Sequence, residues 1–232
     1  MKIDIVPLHG LWHQPEDLDA VVVIDVLRSF TTASVAIDRG ARAIYLTSGP
    51  AAAFALWRQR PHATLMGALG GGRMVPGFDY GNSPSAISQA PLKGQDIILS
   101  TAAGVSGLLR FAHVPLVFGG ALCTASATVK ALEREKVRRV ALVVTGEWVN
   151  RDGDEDIACA NYMAALLTGQ SIDRASIIAR VRQSDFGRSF GRADTPHLPA
   201  ADLDYCAACD TFDFSLKLYR DPSAGHLRLV AE

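Results

Sequence analysis

Ala20-Val21-Val22-Val23-Ile24-Asp25 is the stretch of sequence that decides the fold class. Its run of apolar, mostly β-branched residues is typical of a strand that is covered on both faces within a parallel sheet. The run ends on a carboxylate. Ser29, Thr31 and Thr32 then offer N-cap hydroxyls for a helix, and Gly40 provides its stop. The segment therefore predicts a strand, a loop and a helix in succession.

The same unit recurs along the chain. The pattern predicts further buried strands and, between or after them, helices; the strands are 43–46, 63–66, 96–100, 116–118 and 140–144, and the helices are 51–60, 105–111, 125–135 and 156–167. Alternation of this kind favours a three-layer α/β/α fold, in which a mainly parallel sheet carries helices on its faces.

The end of the chain has a different pattern. Residues 212–219 and 226–230 alternate in character on either side of a turn at 221–225, which predicts a C-terminal β-hairpin. We expect this hairpin at an antiparallel edge of the sheet or as a small appended layer. The polar, Arg-rich segment 170–199 is expected to hold a helix followed by a loop.

Composition narrows the class of protein. The chain has 232 residues, of which 49% are hydrophobic and 20% charged, and this favours one globular domain over residues 1–232. With 23 basic and 24 acidic residues, no overall field favours nucleic acid or anionic lipid. No apolar run reaches the roughly 18 residues of a spanning helix, and the start is too short for a signal peptide. We therefore expect a cytoplasmic protein.

The four cysteines are too few and scattered for a disulfide framework, so reduced thiols are expected. Cys206 and Cys209 form a lone C-x-x-C pair. A structural zinc would need ligands from elsewhere in the chain, and the spacing matches one turn of an Ala-rich helix. Packing residues are the expectation for this pair.

Asp25 is the first candidate for chemistry. In open parallel sheets, ligands bind beyond the carboxyl ends of the strands, where the loops that lead into helices gather. Asp25 lies at such an end, and Arg28 follows three residues later. Together they could supply a metal ligand and a clamp for an anion, although an ordinary Asp–Arg pair that caps a helix is the plainer alternative.

A long segment without helix or strand period, residues 70–84, is the second candidate. Such loops in compact domains are usually functional or disordered, and the polar and aromatic content at 78–80 argues against disorder. Its glycines let backbone N–H groups approach an anion, and Asn82-Ser83-Pro84 predicts a helix start that favours negative charge. No Gly-Lys-Ser/Thr follows, so this is not a Walker A motif. Ser100 and Thr101, after another strand, give a weaker signal.

The loop at 146–156 carries five acidic residues before a helix. Acidic residues commonly stabilise a helix N-terminus, but stabilisation hardly requires five. Together with Asp25, these carboxylates could hold Mg²⁺, which takes oxygen ligands and often uses substrate phosphates to complete its shell. The sequence therefore predicts an anion and a magnesium ion in the same crevice.

Three strings carry a resemblance: Ile24-Asp25-Val26-Leu27-Arg28, Gly77-Phe78-Asp79-Tyr80-Gly81-Asn82-Ser83-Pro84, and Glu155-Asp156 followed by Cys159-Ala160. In order and separation they resemble the 2-phosphosulfolactate phosphatase family over most of the chain. The late Cys209-Asp210-Thr211-Phe212-Asp213 is similar to that family's C-terminal Asp-x-Phe segment. The second string is long and uncommon, which argues against chance.

The resemblance implies a Mg²⁺-dependent phosphatase that cleaves the phosphate ester of a sulfonated three-carbon acid, on a route to coenzyme M. It implies Mg²⁺ held by Asp25 and by Glu155 or Asp156, with Asp25, Asp79 and Asp156 as catalytic residues. Asp79 would orient or deprotonate the attacking water. The implied substrate-binding set is Arg28, Arg73, Gly81, Asn82, Ser83, Ser100 and Thr101, with Arg73 meeting a carboxylate or sulfonate. A homodimer is also implied. A covalent route through Asp25 or Cys159 stays open.

The chain departs from the family pattern at three places. Leu69-Gly70 stands where a Glu-Arg pair is common, Ala103-Gly104-Val105-Ser106 stands where an Asn-Gly-Thr-Arg string is expected, and Thr124 replaces an Asn. Charged hydrogen bonds contribute roughly 1.5–3 kcal/mol each, so an altered substrate or lost activity is an open alternative. A second hypothesis is therefore a non-catalytic anion-binding or regulatory protein on the same fold. A Rossmann-type nucleotide site is disfavoured, because no glycine fingerprint follows Asp25.

Overall fold

The computed structural model describes residues 1–9, 14, 17–148, 151–221 and 225–232. Within these ranges the strands are β1 (Lys2–Pro7), β2 (Ala20–Ile24), β3 (Ala43–Leu46), β4 (Thr64–Ala68), β5 (Asp96–Thr101), β6 (Leu116–Gly120), β7 (Arg139–Val144), β8 (Glu147–Trp148), β9 (Arg151–Asp152), β10 (Leu216–Arg220) and β11 (Leu227–Ala231). The helices are α1 (Ser29–Asp38), α2 (Pro50–Gln59), α3 (Pro84–Ile87), α4 (Gly104–Arg110), α5 (Ala125–Arg134), α6 (Asp154–Thr168), α7 (Arg174–Gln183) and α8 (Ala200–Cys206). Single 3₁₀ turns lie at Gly70–Gly72, Leu122–Thr124 and Gly187–Ser189.

The main sheet runs in the order β1-β7-β2-β6-β10-β11-β3-β5-β4. Parallel pairings join β1, β7, β2 and β6 into one half and β3, β5 and β4 into the other. Every residue of β2 is buried, because Val22 is flanked by Leu142 of β7 and Phe118 of β6, and helices cover both faces. The predicted α/β fold with a mainly parallel sheet is therefore confirmed.

The C-terminal hairpin exists, but its predicted place at an edge of the sheet is wrong. Strand β10 pairs antiparallel with β6, and β11 pairs antiparallel with β3, so the hairpin joins the two parallel halves. Leu216 and Leu229 are fully buried in the core. The alternation of apolar and polar residues indicates which side chains of a strand point into the core. It does not indicate which other strands that strand pairs with. Of the predicted turn, residues 222–224 lie outside the described residues.

The hairpin also sets the direction of the strands. Three successive antiparallel pairings mean that the second parallel half runs opposite to the first along the sheet. Strands twist by about 20–25° per pairing, so the five pairings from β2 to β5 rotate the strand direction by about 100–125°. This rotation allows the carboxyl ends of β2 and β5 to meet at one corner, whereas an untwisted mixed sheet would keep them apart.

Helices lie on both faces of the sheet. On one face, α1 and α4 pack in a core with β2, β5, β6 and β7, and on the other α5, α6 and α7 share a core with β2, β6 and β7. Helix α4 contacts both β2 and β5. Gly107 permits this close approach, since a Cβ there would lie 2.6 Å from Cγ1 of Val23. The first turn of α4 is thereby fixed beside the end of β2.

The Cys206–Cys209 pair does not share a helix, because α8 ends at Cys206. Cys206 is fully buried, and the half-buried Cys209 packs against the same core, so the packing role of the pair is supported.

Within the described ranges, no helix is both long enough and apolar enough to span a membrane.

The central position of the hairpin predicts a large effect of Leu216→Ala on stability. Removing a buried Leu side chain leaves a cavity, and we expect the free energy of unfolding to fall by about 2–5 kcal/mol in urea titrations followed by circular dichroism. Tyr219→Ala, on the exposed end of the same strand, is the control and should have a much smaller effect. Equal losses for both variants would contradict a central hairpin.

Candidate active site

A cavity of about 590 Å³ opens where β2, β4, β5 and β7 end. Its lining combines acidic, amide and hydroxyl side chains with the glycine turn at 70–72. Among the residues predicted from sequence, the cavity brings together Asp25, Arg28, Asn82, Thr101, Glu155 and Asp156. The crossing of the two sheet halves thus gathers side chains from four separate strand-to-helix connections.

Asp25 is held from three directions at the end of β2. Its Oδ1 accepts a hydrogen bond from the backbone N–H of Ser29 at 3.0 Å, and its Oδ2 accepts from Ser29 Oγ at 2.6 Å and from the Gly104 N–H at 3.0 Å. A Cβ on Gly104 would lie 2.8 Å from Oδ2, so a side chain at that position would displace the carboxylate. Burial raises the pKa of Asp25, while these hydrogen bonds and the charge of Arg28 oppose the rise.

Asp156, in the first turn of α6, is committed to the backbone. Its Oδ1 accepts from the Val26 N–H at 2.8 Å, and its Oδ2 accepts from the N–H groups of Thr145 and Gly146 and from the Thr145 hydroxyl at 2.7–3.1 Å. Burial raises its pKa well above the usual value, and the charges of Glu155 and Asp25 add to the rise. Asp156 therefore ties the loops after β2 and β7 together beneath the cavity floor.

Glu155 and Asn82 provide the uncommitted oxygens of the cavity. Glu155 is only 3% exposed, and its Oε2 has no hydrogen-bond partner among the described residues. The Oδ1 atom of the buried Asn82 is likewise unpartnered within that part of the chain. Burial raises the pKa of Glu155, and the negative charges of Asp152 and Asp25 raise it further. Buried polar atoms without partners are uncommon, so these two oxygens indicate a place for a ligand.

Arg28 lines the cavity, but other protein groups occupy its donors. Its Nη1 pairs with Oδ2 of Asp202 at 2.5 Å, and its Nη2 donates to the Gly72 carbonyl at 2.9 Å. Both charged side chains are almost completely buried. This guanidinium holds the glycine turn against α8, and its charge is balanced by Asp202. The geometry does not leave it free in the way that the sequence prediction of an anion clamp required.

The three carboxylates do not form a ready-made metal cage. In the described ranges, groups of three or more His, Cys, Asp or Glu side chains placed to hold a metal ion are absent. Asp156 is saturated by backbone donors, which leaves Glu155 and one face of Asp25 as carboxylate ligands. Sites with one or two carboxylates are nevertheless usual for Mg²⁺, because water and substrate phosphate complete the shell.

Comparisons with known proteins identify the family of the chain. The family model described as 2-phosphosulpholactate phosphatase matches residues 9–220. The chain belongs to the 2-phosphosulfolactate phosphatase family. Similar relatives include proteins named "Probable 2-phosphosulfolactate phosphatase" from Carboxydothermus hydrogenoformans, 34% identical with 92% of this chain and 91% of the relative covered, and from Deinococcus radiodurans, 33% identical with 100% and 99% covered. A relative of the same name from Bacillus subtilis is 28% identical, with 91% and 92% covered.

Three residues of the segment 70–84, which the sequence placed in the site, lie outside the cavity. Asp79 is exposed, its Oδ2 accepts from the Leu65 N–H at 2.8 Å, and it lines a separate surface hollow with Trp57. Arg73 is exposed, and Gly81 faces Met74. Asp79 therefore supports the edge strand β4, and this geometry does not favour its predicted role with the attacking water. The same holds for Arg73 and a substrate anion.

The two serines that the sequence placed in the substrate-binding set, Ser83 and Ser100, do not line the cavity. Ser83 caps α3, with its Oγ accepting from the Ala86 N–H, and it donates to Oδ1 of Asp202 at 2.7 Å. Ser100 is buried at the end of β5. Thr101 does line the cavity, and its Oγ1 lies within hydrogen-bond distance of Ser29 Oγ, at 3.1 Å.

The acidic loop divides into structural and cavity-facing residues. Asp154 accepts from Nε of Arg180 at 3.0 Å, and Asp152 accepts from the Asp185 N–H at 3.2 Å. The side chain of Glu147 lies outside the described part. Of the acidic side chains that the structure describes in this loop, Glu155 and Asp156 line the cavity, so the excess of acidic residues reflects ion pairs and caps as well as the site.

Sequence reasoning missed Asp202, Thr145 and Arg151. Asp202 lies within an otherwise unremarkable short helix, and its partnership with Arg28 spans 174 positions, so no local signal could have found it. Arg151 is the basic residue of the acidic loop, and this position was a signal that could have been used.

The alternative nucleophile Cys159 is fully buried and does not line the cavity, and burial raises the pKa of its thiol well above the usual value. Its position therefore gives no support to a covalent route through this thiol.

Proposed function

We propose that this protein is a Mg²⁺-dependent phosphatase that hydrolyses the phosphate ester of a small acid resembling 2-phosphosulfolactate. The observation that carries the proposal is the buried cavity in which Asp25, Glu155 and Asn82 present oxygen ligands, two of them without partners. Family membership supplies the reaction class, since the relatives are named for this activity. Membership and cavity chemistry therefore point to the same reaction.

The residues present fit a magnesium ion. Carboxylate oxygens are its preferred ligands and amide oxygens also serve, and the three buried carboxylates form a negatively charged cluster that a cation would stabilise. Asp25 and Glu155 would hold the ion, with Asn82 as a further oxygen. When bound, Mg²⁺ supplies positive charge that polarises the phosphoryl oxygens.

The chain's own groups contribute positioning and a dry environment. Phosphoryl transfer leaves little covalent work for the protein, so the orientation of the ester carries most of the catalysis. Ser29 and Gly104 fix the Asp25 carboxylate, and Asp156 fixes the loops that carry Val26 and Thr145. These bonds keep the site oxygens in place before substrate arrives, which lowers the reorganisation needed in the transition state.

One observation favours the second candidate, a non-catalytic anion-binding protein. Leu69, Gly70 and Ala103 line the cavity at positions where the family resemblance implies polar side chains. Catalysis and binding differ in a measurable way, because only the enzyme releases inorganic phosphate.

The test is phosphate release from a panel of small phosphorylated hydroxy acids, 2-phosphosulfolactate included, with Mg²⁺ or with EDTA. We expect release from diacid esters with Mg²⁺, loss of release with EDTA and recovery when Mg²⁺ is restored. Release that is unaffected by EDTA would overturn the metal requirement. No release by folded protein from any ester, accompanied by ester binding in calorimetry, would support the non-catalytic alternative.

Three further proposals accompany this function. The family resemblance supports a homodimer and a place on a route to coenzyme M, and the composition supports a cytoplasmic location. Each is independent of the cavity chemistry and would be tested separately.

A further inference from the structure

Arg151 is the cationic side chain of the cavity that the proposed chemistry has not used. It belongs to β9, directly before α6, and it lines the same cavity as Asp25 and Glu155. Its guanidinium carbon lies 4.0 Å from the centroid of the Phe186 ring, which is also part of the lining. Within the described ranges, no ion pair or hydrogen bond to this guanidinium is present. Arg151 is therefore half-buried and packs on an aromatic face, and it pairs with no carboxylate of the described residues.

The contrast with Arg28 makes this arrangement informative. Both arginines line the cavity and both lie against an aromatic ring, Arg28 being 5.5 Å from the centroid of Phe190. The guanidinium of Arg28, however, donates hydrogen bonds to Asp202 and to the carbonyls of Gly72 and His197. A planar guanidinium that stacks on a ring keeps its N–H edge available, because the stacking uses only its face. Of the two arginines in the described cavity lining, Arg151 is the one whose donors are free for an anion.

We propose that Arg151 binds a second anionic group of the substrate, a carboxylate or sulfonate, and so selects phosphorylated acids over simple phosphate monoesters. The inference rests on the proposed function and names the substrate class of the same site. In this arrangement the phosphate of the substrate lies beside Asp25 and Glu155, where a cation can balance its charge. The guanidinium N–H groups of Arg151 then bind the second anionic group of the substrate. Carboxylates and sulfonates both present paired oxygens that match this fork.

The position of Arg151 in the chain supports this division of the cavity. Three residues separate it from Glu155, across the turn that leads into α6, so the two ends of a short substrate could be held by one connection. Phe186 is itself fixed by edge contact with Phe190, at 5.5 Å between centroids. The aromatic pair therefore limits the movement of the guanidinium and lowers the entropy lost on binding.

The test compares Arg151→Met with Arg151→Lys, using Arg188→Met as the matched control. Met keeps apolar contact with Phe186, and Lys keeps the charge but lacks the fork. Arg188 is exposed, pairs with Asp185 and does not line the cavity. We measure KM and kcat for four esters: 2-phosphosulfolactate, phosphoglycolate with a carboxylate only, the phosphate ester of 2-hydroxyethanesulfonate with a sulfonate only, and ethyl phosphate with neither.

For Arg151→Met we expect KM to rise about 10–100-fold on esters with a second anion, with kcat little changed and with ethyl phosphate unaffected. Arg151→Lys should recover only part of the loss. The ester whose KM responds, carboxylate or sulfonate, identifies the group that Arg151 binds. An unchanged KM on all acidic esters, or an equal rise on ethyl phosphate, would overturn the inference.

Calorimetric binding of 3-sulfolactate, the dephosphorylated acid, separates this inference from the proposed function. If the wild type binds the acid, Arg151→Met does not, and no variant releases phosphate, the phosphatase proposal fails and the role of Arg151 stands. If phosphate is released but the acid and its ester bind equally to wild type and Arg151→Met, the role of Arg151 fails alone. Absence of both binding and turnover overturns both.

Discussion

Asp25→Ala should lower kcat for phosphate release by about 10²–10⁴-fold, while the protein stays folded. Asp25 faces the cavity, and Ser29 and Gly104 fix both of its carboxylate oxygens. Its loss removes a metal ligand and a negative charge from the place where the phosphoryl group is proposed to lie. The measurement is the initial rate of phosphate release at saturating Mg²⁺, together with calorimetric binding of Mg²⁺ itself.

Asp19→Ala is the control at the opposite end of the same strand region. Asp19 also accepts backbone hydrogen bonds, from the N–H groups of Arg138 and Arg139, but it does not line the cavity. We expect wild-type kcat for this variant, whatever its effect on stability. If Asp25→Ala kept its activity, or if both variants lost activity in proportion to stability, the catalytic assignment of Asp25 would fail.

Asp202→Asn should reduce the free energy of unfolding by about 3–5 kcal/mol, because it leaves the charge of Arg28 buried and uncompensated. The Asn oxygen can still accept from Ser83 and Ser85, while its NH₂ group replaces the oxygen that accepts from Arg28, so the change removes the charge and the hydrogen bond of the pair together. The loss should be visible in urea titration. We also expect a higher KM, since Arg28 holds the carbonyl of Gly72 in the turn that lines the cavity.

A double-mutant cycle tests this assignment. Arg28→Met combined with Asp202→Asn should be more stable than the sum of the single losses predicts, because no unpaired charge then remains. The exposed pair of Arg192 and Asp194 provides the control, and Asp194→Asn should produce no measurable change. Strict additivity in the Arg28–Asp202 cycle would show that the two charges are not coupled.

The sequence by itself determined the local units. Runs such as Ala20–Ile24, and the helix starts and stops around them, predicted the alternation that the structure has, because side-chain periodicity and capping act between chain neighbours. The cavity-lining positions of Asp25, Glu155 and Asp156 also followed, since strand ends and helix starts have a fixed relation to their own segments.

Only the tertiary structure decided the partners of those units. It placed the hairpin of Leu216 and Leu229 between the sheet halves, turned Asp79 to the backbone of Leu65, and set Arg28 against Asp202. Each of these outcomes depends on which residue, distant in sequence, pairs with an open strand edge or with a buried charge. Desolvation and packing across the whole fold determine which of these pairings is most stable. The tertiary structure also distinguishes Arg151 from Arg28: both line the cavity, but within the described residues only Arg28 pairs with a carboxylate.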